Sequence, residues 1–145
     1  MRLSEAIRLG AMKRQQGLGE TYDARYDATC VAGAALDGIG ELDKIVRMVR
    51  VQTRGHVRGL QGVPVRIRQD FPIWTERALD PPITLSPAAP SAHWRIGSLA
   101  VCLNDRYCWT REEIAGWIEH EERLRGLWDE QDEQETTEEV SHVAK

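Results

Sequence analysis

A run of small, uncharged residues, Cys30-Val31-Ala32-Gly33-Ala34-Ala35-Leu36, constrains the fold more than any other part of the sequence. Thr29 precedes the run as a potential N-cap, and Gly38 or Gly40 can adopt the left-handed conformation that ends a helix. Side chains this small on every face allow neighbouring elements to approach closely. The run therefore predicts a short buried helix around which the other elements pack.

A second small-residue face lies near the start of the chain. Ser4 is a potential N-cap for a helix that runs to about Gln16, and one narrow face of this helix carries Ala6, Ile7, Gly10 and Ala11. Such a face suits a partner with small side chains, so we expect this helix to pack on the buried helix. Residues 20–28 lack a periodic pattern and predict an irregular connection.

The middle of the chain predicts a two-stranded β-ribbon. Leu42, Ile45 and Val46 have helical spacing, which indicates a helix to about Met48, and the β-branched residues that follow favour a strand. In residues 63–68, aliphatic side chains occupy every second position and Arg66 and Arg68 alternate with them, which is typical of a strand. We therefore predict that residues 48–53 pair with residues 63–68.

The next segments carry shorter signals. Residues 70–74 predict a short helix with Pro72 in its first turn. Four prolines between residues 81 and 90 exclude regular structure until about Ser91. The apolar residues 96–103 fit either a buried helix or a buried strand, which Asn104-Asp105 ends.

The last helix has the clearest signals. Thr110-Arg111-Glu112-Glu113 has the form of a capping box. An apolar stripe then predicts a helix to about residue 128, and its members are Ile114, Trp117, Ile118, Leu124 and Trp128. Most of the charged residues lie outside this stripe, and we interpret the pair Glu121-Glu122 as part of a solvated face.

Together these elements predict an α+β, mainly helical fold. One globular domain is expected over residues 1–128, with the β-ribbon as its only sheet. Residues 129–145 combine high charge with few apolar residues and predict an acidic, flexible tail. The N-terminal segment is amphipathic rather than apolar and no stretch has the length of a membrane span, so we expect a cytoplasmic protein without a signal peptide.

The formal net charge of -4 conceals two opposed blocks. Seven cations and no carboxylate lie between residues 44 and 68, and seven carboxylates and no cation lie between residues 129 and 139. Arginine suits both carboxylates and phosphates, but no aromatic residue is interleaved here to stack on bases. The predicted partner-binding residues are Arg47, Arg50, Arg54, Arg58, Arg66 and Arg68. A solvated face that the acidic tail partly neutralises is the alternative.

The cysteines and histidines suggest no catalytic or metal site. Cys30, Cys102 and Cys108 form an odd set at low density, which favours a reducing cytoplasm over a disulfide framework. Structural zinc needs four ligands in close pairs, so we interpret these cysteines as buried packing residues near a loop. His56, His93, His120 and His142 stand outside any recognisable motif. No cofactor is expected.

Three sequence blocks resemble a group of small bacterial and phage proteins of unknown function, which share the blocks in this order. The blocks are Ser4 to Met12, Cys30 to Leu36, and Leu103-Asn104-Asp105 with Trp109 to Ala115. The resemblance implies no activity. Some members carry a Cys-Pro-x-Cys pair before the Leu-Asn-Asp block and histidines beside it, similar to a small zinc site. The matching positions here are Cys102 and Tyr107, without such a pair, so the resemblance implies no metal in this chain.

The order of the Leu-Asn-Asp block, a turn and a capped helix also resembles the second half of a helix-turn-helix. A recognition helix exposes basic or amide side chains at its start, whereas this helix offers Arg111 followed by Glu112 and Glu113. Phosphates would repel those carboxylates. A structural turn that fixes the direction of the helix is therefore the favoured interpretation.

These observations predict a non-enzymatic regulatory protein, bacterial or phage-encoded, that binds a larger protein. A host complex such as RNA polymerase or a defence complex fits by analogy. The alternative is a nucleic-acid-binding protein that uses residues 44–68, and a small enzyme is the third hypothesis. No membrane partner is expected.

Overall fold

The computed structural model describes residues 1–52, 59–60, 65–83 and 94–128. These residues form six α-helices and a short 3-10 helix, Pro72–Thr75. The helices are α1 Leu3–Ala11, α2 Val31–Gly38, α3 Leu42–Gln52, α4 Val65–Asp70, α5 Ile96–Asp105 and α6 Arg111–Leu124. Four two-residue strands complete the described fold, namely β1 Gln15–Gln16, β2 Tyr22–Asp23, β3 Ala28–Thr29 and β4 Gly59–Leu60. The mainly helical α+β class is thus confirmed.

Helix α2 lies at the centre of the core, and α1 packs directly on it. A Cβ atom on Gly10 would lie 1.8 Å from the carbonyl oxygen of Ala34, and one on Gly38 would lie 1.9 Å from that of Ala6. Such distances leave no space for any side chain, so the two helix backbones are in contact. The predicted buried helix and its small-residue partner face are therefore confirmed.

Helix α1 begins and ends differently from the prediction. Its N-cap is Arg2, whose backbone N–H donates to the Glu5 carboxylate over 2.8 Å. Ser4 is the second residue of the helix rather than its N-cap. Its hydroxyl donates a hydrogen bond to the Glu122 carboxylate instead of capping α1. The helix stops at Ala11; of the residues predicted to continue it, 12–14 form a turn and Gln15–Gln16 form β1.

The start of α2 is also shifted by one residue. Cys30 is the N-cap, and Thr29 belongs to β3, where its hydroxyl accepts a hydrogen bond from Arg111 over 2.8 Å. Gly40 adopts a φ of 76° after the helix, as the sequence predicts.

The small sheet lies elsewhere than predicted. Its order is β1-β3-β2-β4, with β1 parallel to β3 and the other pairs antiparallel. Tyr22 pairs with Thr29 on one side and with Leu60 on the other. Strands β2 and β3 thus occupy the segment predicted to be irregular. They are too short for an alternating pattern to show in the sequence.

The predicted ribbon of residues 48–53 with 63–68 is wrong. Residues 48–52 continue α3, and residues 65–68 belong to α4. Residues 53–58 and 61–64 lie outside the described part of the chain. Ile67 is buried while Arg66 and Arg68 are exposed. One buried residue between two exposed ones occurs in a single helical turn as well as in a strand. The alternating pattern of residues 63–68 therefore did not distinguish the two structures.

The C-terminal half follows the predicted order of elements. The short helix at Pro72 is confirmed, and residues 96–105 form a helix rather than a strand. Gly97 makes this helix fit, because a Cβ there would lie 2.1 Å from the indole nitrogen of Trp74. Residues 81–83 have no regular structure, and residues 84–93 are outside the described chain.

The capping box of α6 is confirmed in both directions. The Glu113 amide donates to the Thr110 hydroxyl over 3.1 Å, and the Thr110 amide donates to the Glu113 carboxylate over 2.9 Å. The helix ends at Leu124, earlier than the predicted Trp128, because Gly126 adopts a φ of 70° and turns the chain back. Across the described ranges, every helix is too short or too polar to span a lipid bilayer.

Candidate functional site

Glu121 and Glu122 are almost completely buried, at 0% and 1% exposure, so the prediction of a solvated face is wrong. They follow Ile114 by seven and eight residues, which places them on the buried face of α6. The helical spacing alone indicated this position. Their negative charge favoured a prediction of solvent exposure. Most of the hydrogen-bond donors that stabilise these buried carboxylates lie in distant segments, and no sequence pattern indicates them.

The Glu122 carboxylate joins α6 to both ends of the described chain. It accepts hydrogen bonds from the Ser4 amide over 3.1 Å and from the Ser4 hydroxyl over 2.5 Å. It also accepts one from the Trp128 indole N–H over 3.2 Å. Because the Ser4 amide is one of the unsatisfied donors at the start of α1, Glu122 acts as a cap supplied by another helix.

Glu121 holds the loop that follows the 3-10 helix. Its carboxylate accepts hydrogen bonds from the amides of Leu79, over 3.0 Å, and Asp80, over 2.7 Å. Arg125 pairs with the same carboxylate and also with Glu76 over 2.7 Å. This contact fixes the loop against α6.

The Leu-Asn-Asp block meets β1 in a buried polar cluster. The Asn104 amide donates to the Gly17 carbonyl over 3.0 Å, and its oxygen accepts from the Gln16 side chain over 3.1 Å. The Trp109 amide donates to the Leu103 carbonyl over 3.0 Å and closes the turn before α6. These contacts support the interpretation of this segment as a structural turn.

Arg111, the first residue of α6, is buried in the fold. Its guanidinium donates to the Thr29 hydroxyl over 2.8 Å and to the carbonyls of Ala11 and Arg14. Burial lowers the pKa of this guanidinium from its ordinary value. Arg111 therefore links β3 and the end of α1 to α6. Its guanidinium is buried, so it is not available to bind a partner at the surface.

A small cavity of about 60 Å³ lies beside Cys30 at the start of α2. Glu20 and Asp105 also line it, and the Glu20 carboxylate pairs with Arg25 over 3.9 Å. Burial raises the pKa of the Cys30 thiol, which favours the protonated form. The cavity has room for a few waters but is far below the size of organic ligand sites.

The three cysteines differ in their environments. Cys30 is buried, Cys102 is half-buried, and Cys108 is exposed with a φ of 52°. The interpretation of all three as buried packing residues is therefore wrong for Cys108, which the turn before Trp109 directs outward. Within the described ranges, no three His, Cys, Asp or Glu side chains are placed to hold a metal ion.

Arg14 positions helix α3 against the sheet and α2. Its guanidinium pairs with Asp27 over 2.9 Å, with Asp37 of α2, and with Asp43 of α3 over 2.9 Å. The Tyr22 hydroxyl also donates to Asp27 over 3.0 Å. Hydrogen bonding to Arg14 lowers the pKa of Asp27 from its ordinary value.

We predict that Asp27→Asn reduces the acid sensitivity of folding. Because the folded-state pKa of Asp27 lies below its unfolded value, its contribution to stability is complete above about pH 4–5 and is lost as pH falls through the folded pKa. Asn tolerates the positive φ of this position and does not titrate. Urea unfolding at several pH values between about 2 and 6 should give a shallower slope for the variant. Parallel curves for both proteins would contradict the assignment.

The structure describes four of the six predicted partner-binding arginines. Arg47 and Arg50 lie on α3, and Arg66 and Arg68 lie on α4; all four are exposed. We call Arg47, Arg50 and Arg66 the basic face, because the ion pairs of Glu41 with Arg66 and with Lys44 join α4 to α3; Arg68 lies on the opposite flank of the buried Ile67. Arg54 and Arg58 lie outside the described residues. Arg66 pairs with Asp70 over 2.6 Å and with Glu41 over 3.8 Å, whereas Arg47, Arg50 and Arg68 form no ion pair within the described chain.

A groove of about 270 Å³ borders the basic face at Arg66. Its apolar lining comes from Met1, Ile39 and Phe71, and Glu41 and Asp70 complete it. No local sequence pattern indicates this groove, because its lining comes from three distant segments.

No protein-family model, curated protein or solved structure matches this chain. The fold and the described surfaces therefore carry the functional argument.

Proposed function

We propose that this chain is a non-enzymatic regulatory protein that binds an acidic surface of a larger protein through the basic face. One observation carries the proposal: Arg47, Met48 and Arg50 are all exposed on α3, and the two arginines lack ion-pair partners in the described structure. Cations without local partners gain by meeting carboxylates, and an exposed Met gains by burial.

The contrast with other arginines supports this proposal. Arg8 pairs with Glu112 and Glu119, and Arg125 pairs with Glu76 and Glu121, so these guanidiniums already serve the fold. Arginine and methionine are enriched at the centres of protein interfaces. A host assembly such as RNA polymerase or a defence complex is the proposed class of partner, by analogy with small regulators of this kind.

The double variant Arg47→Glu/Arg50→Glu should lose partner binding without losing fold. Reversing two exposed charges removes the attraction to carboxylates, so we expect affinity to fall about tenfold or more, equal to about 1.4 kcal/mol or more. Capture from bacterial lysate by the full-length protein, quantified by mass spectrometry, identifies the proteins that depend on these residues. Thermal melts should remain close to that of the parent protein.

Arg77→Glu is the matched control, because Arg77 is also exposed but lies outside the basic face. It should retain every protein that the double variant loses. Captured proteins shared by all three baits, with none specific to the basic face, would reject the proposal.

A titration against mixed-sequence DNA and RNA distinguishes the alternative function. About six or more phosphate contacts, which would use nearly all seven cations of residues 44–68, would give submicromolar binding at 50 mM salt and a loss of about 10³–10⁵ in affinity by 200 mM salt. We expect no such binding by the full-length protein. Its observation, with loss in the double variant, would assign the basic face to nucleic acid instead.

A further inference from the structure

We infer that the acidic tail of this chain, residues 129–145, binds the basic face and competes with outside partners. The inference rests on the proposed function because it uses the same surface. It adds a specific occupant, which the described residues support through the position of Trp128, the residue before the tail, through the neighbouring groove and through the charges of the basic face.

The point at which the tail leaves the domain is fixed. The Trp128 ring lies between two guanidiniums, with Arg2 at 3.9 Å and Arg123 at 4.4 Å from its centroid. Its indole N–H bonds Glu122, and Arg2 donates to the Leu127 carbonyl over 3.1 Å. These contacts hold the last described residue beside the start of α1.

This position is close to one end of the basic face. Met1, the neighbour of Arg2, lines the groove that also includes Arg66. From Arg66 the surface continues to Glu41, at 3.8 Å, and Glu41 pairs with Lys44 over 3.1 Å. Arg47 is one helical turn beyond Lys44 on the same side of α3. A chain that starts at Trp128 therefore meets the groove first and the unpaired arginines next.

The length and charge of the tail match this path. Residues 129–139 carry seven carboxylates and no cation, and an extended run of this length spans about 36 Å. Arg47 and Arg50 are the receiving charges, since Arg66 already has carboxylate partners. A tether places the tail at millimolar effective concentration, so even weak pairing occupies the face for much of the time.

Occupation by the tail makes the basic face selective. A partner must displace the carboxylates before it binds, so its apparent affinity falls in proportion to the fraction of free face. A weakly acidic protein would not displace the tail and would therefore not bind. A partner that also buries Met48 would gain an advantage over the tail, because the tail carboxylates do not bury Met48.

A spin label on the tail of the full-length protein tests this inference. Ser141→Cys supplies the labelling site, with Cys102→Ser and Cys108→Ser to remove the accessible thiols and Cys30 kept because it is buried. We expect strong paramagnetic broadening of the backbone amides of α3 near Arg47 and Arg50. The broadening should weaken between 0.1 M and 1 M salt, where the Debye length falls from about 10 Å to about 3 Å.

Two variants decide the origin of the broadening. Arg47→Glu/Arg50→Glu should abolish it on α3, whereas Arg77→Glu should leave it unchanged. Broadening confined to residues beside Trp128, or equal on α3 in both variants, would overturn the inference, because a tether alone explains it.

The experiment requires no outside partner, so it separates the two proposals. Capture that depends on Arg47 and Arg50 without broadening on α3 would reject the tail as occupant and keep the proposed function. Broadening on α3 with no captured protein specific to the basic face would reject the proposed function and keep the tail contact.

Discussion

Gly10→Ala is expected to lower the free energy of unfolding by about 1–3 kcal/mol or more. The added Cβ would lie 1.8 Å from the Ala34 carbonyl oxygen, and backbone cannot move aside as the end of a flexible side chain does. Helices α1 and α2 would have to separate, which opens the centre of the core. Urea unfolding of the parent protein and the variant measures the difference.

Gly116→Ala is the matched control for this prediction. Gly116 lies within α6, and a Cβ there would meet no atom within 4 Å. The replacement should therefore raise stability by about 0.5–1 kcal/mol through helix propensity.

Gly33→Leu provides a second test in the destabilising direction, because even a Cβ at Gly33 would lie 1.8 Å from the Thr21 carbonyl oxygen. A parent-like midpoint for Gly10→Ala would mean that the two backbones are not in contact.

Glu122→Ala is expected to cost about 2–4 kcal/mol of unfolding free energy. The replacement leaves two donors of Ser4 and the Trp128 indole without their acceptor, and it opens a cavity at a fully buried position. Urea unfolding measures the loss. A shift of the Trp128 indole N–H signal in the NMR spectrum should accompany it, because the indole loses its acceptor.

Glu112→Ala is the surface counterpart of this variant. The Glu112 side chain is 69% exposed, and its partner Arg8 also pairs with Glu119. Exposed ion pairs contribute about 0–1 kcal/mol, so this change should be small. Similar losses from both replacements would contradict the role of Glu122 as a buried connection.

The sequence was sufficient to predict those features that depend on residues close together in the chain. Thr110 and Glu113 form a capping box within one turn, and the small residues of α1 and α2 predict close packing whatever lies around them. The two-residue strands were not predictable, because a periodic pattern needs more residues than they contain. Arg47 and Arg50 are exposed, as a partner-binding role requires, although Arg50 lies in a helix rather than in the predicted strand.

Predictions failed where distant residues determine the outcome. Glu122 is buried because Ser4 supplies two donors from 118 residues away, and no local pattern signals that partner. Leu124 belonged to the predicted apolar stripe yet is half exposed, because Gly126 ends the helix beside it. The groove at Arg66 depends in the same way on Met1, Ile39 and Phe71, which only the folded chain brings together.

The bond between Ser4 and Glu122 also sets an order for folding on the ribosome. Ser4 is synthesised 118 residues before its acceptor, a delay of about 6–24 s at ordinary rates of translation. Helices α1 and α2 are close in sequence and can pair during this time, but the Ser4 amide and hydroxyl lack their acceptor until Glu122 has been synthesised. The nascent domain therefore stays incomplete until α6 has left the exit tunnel.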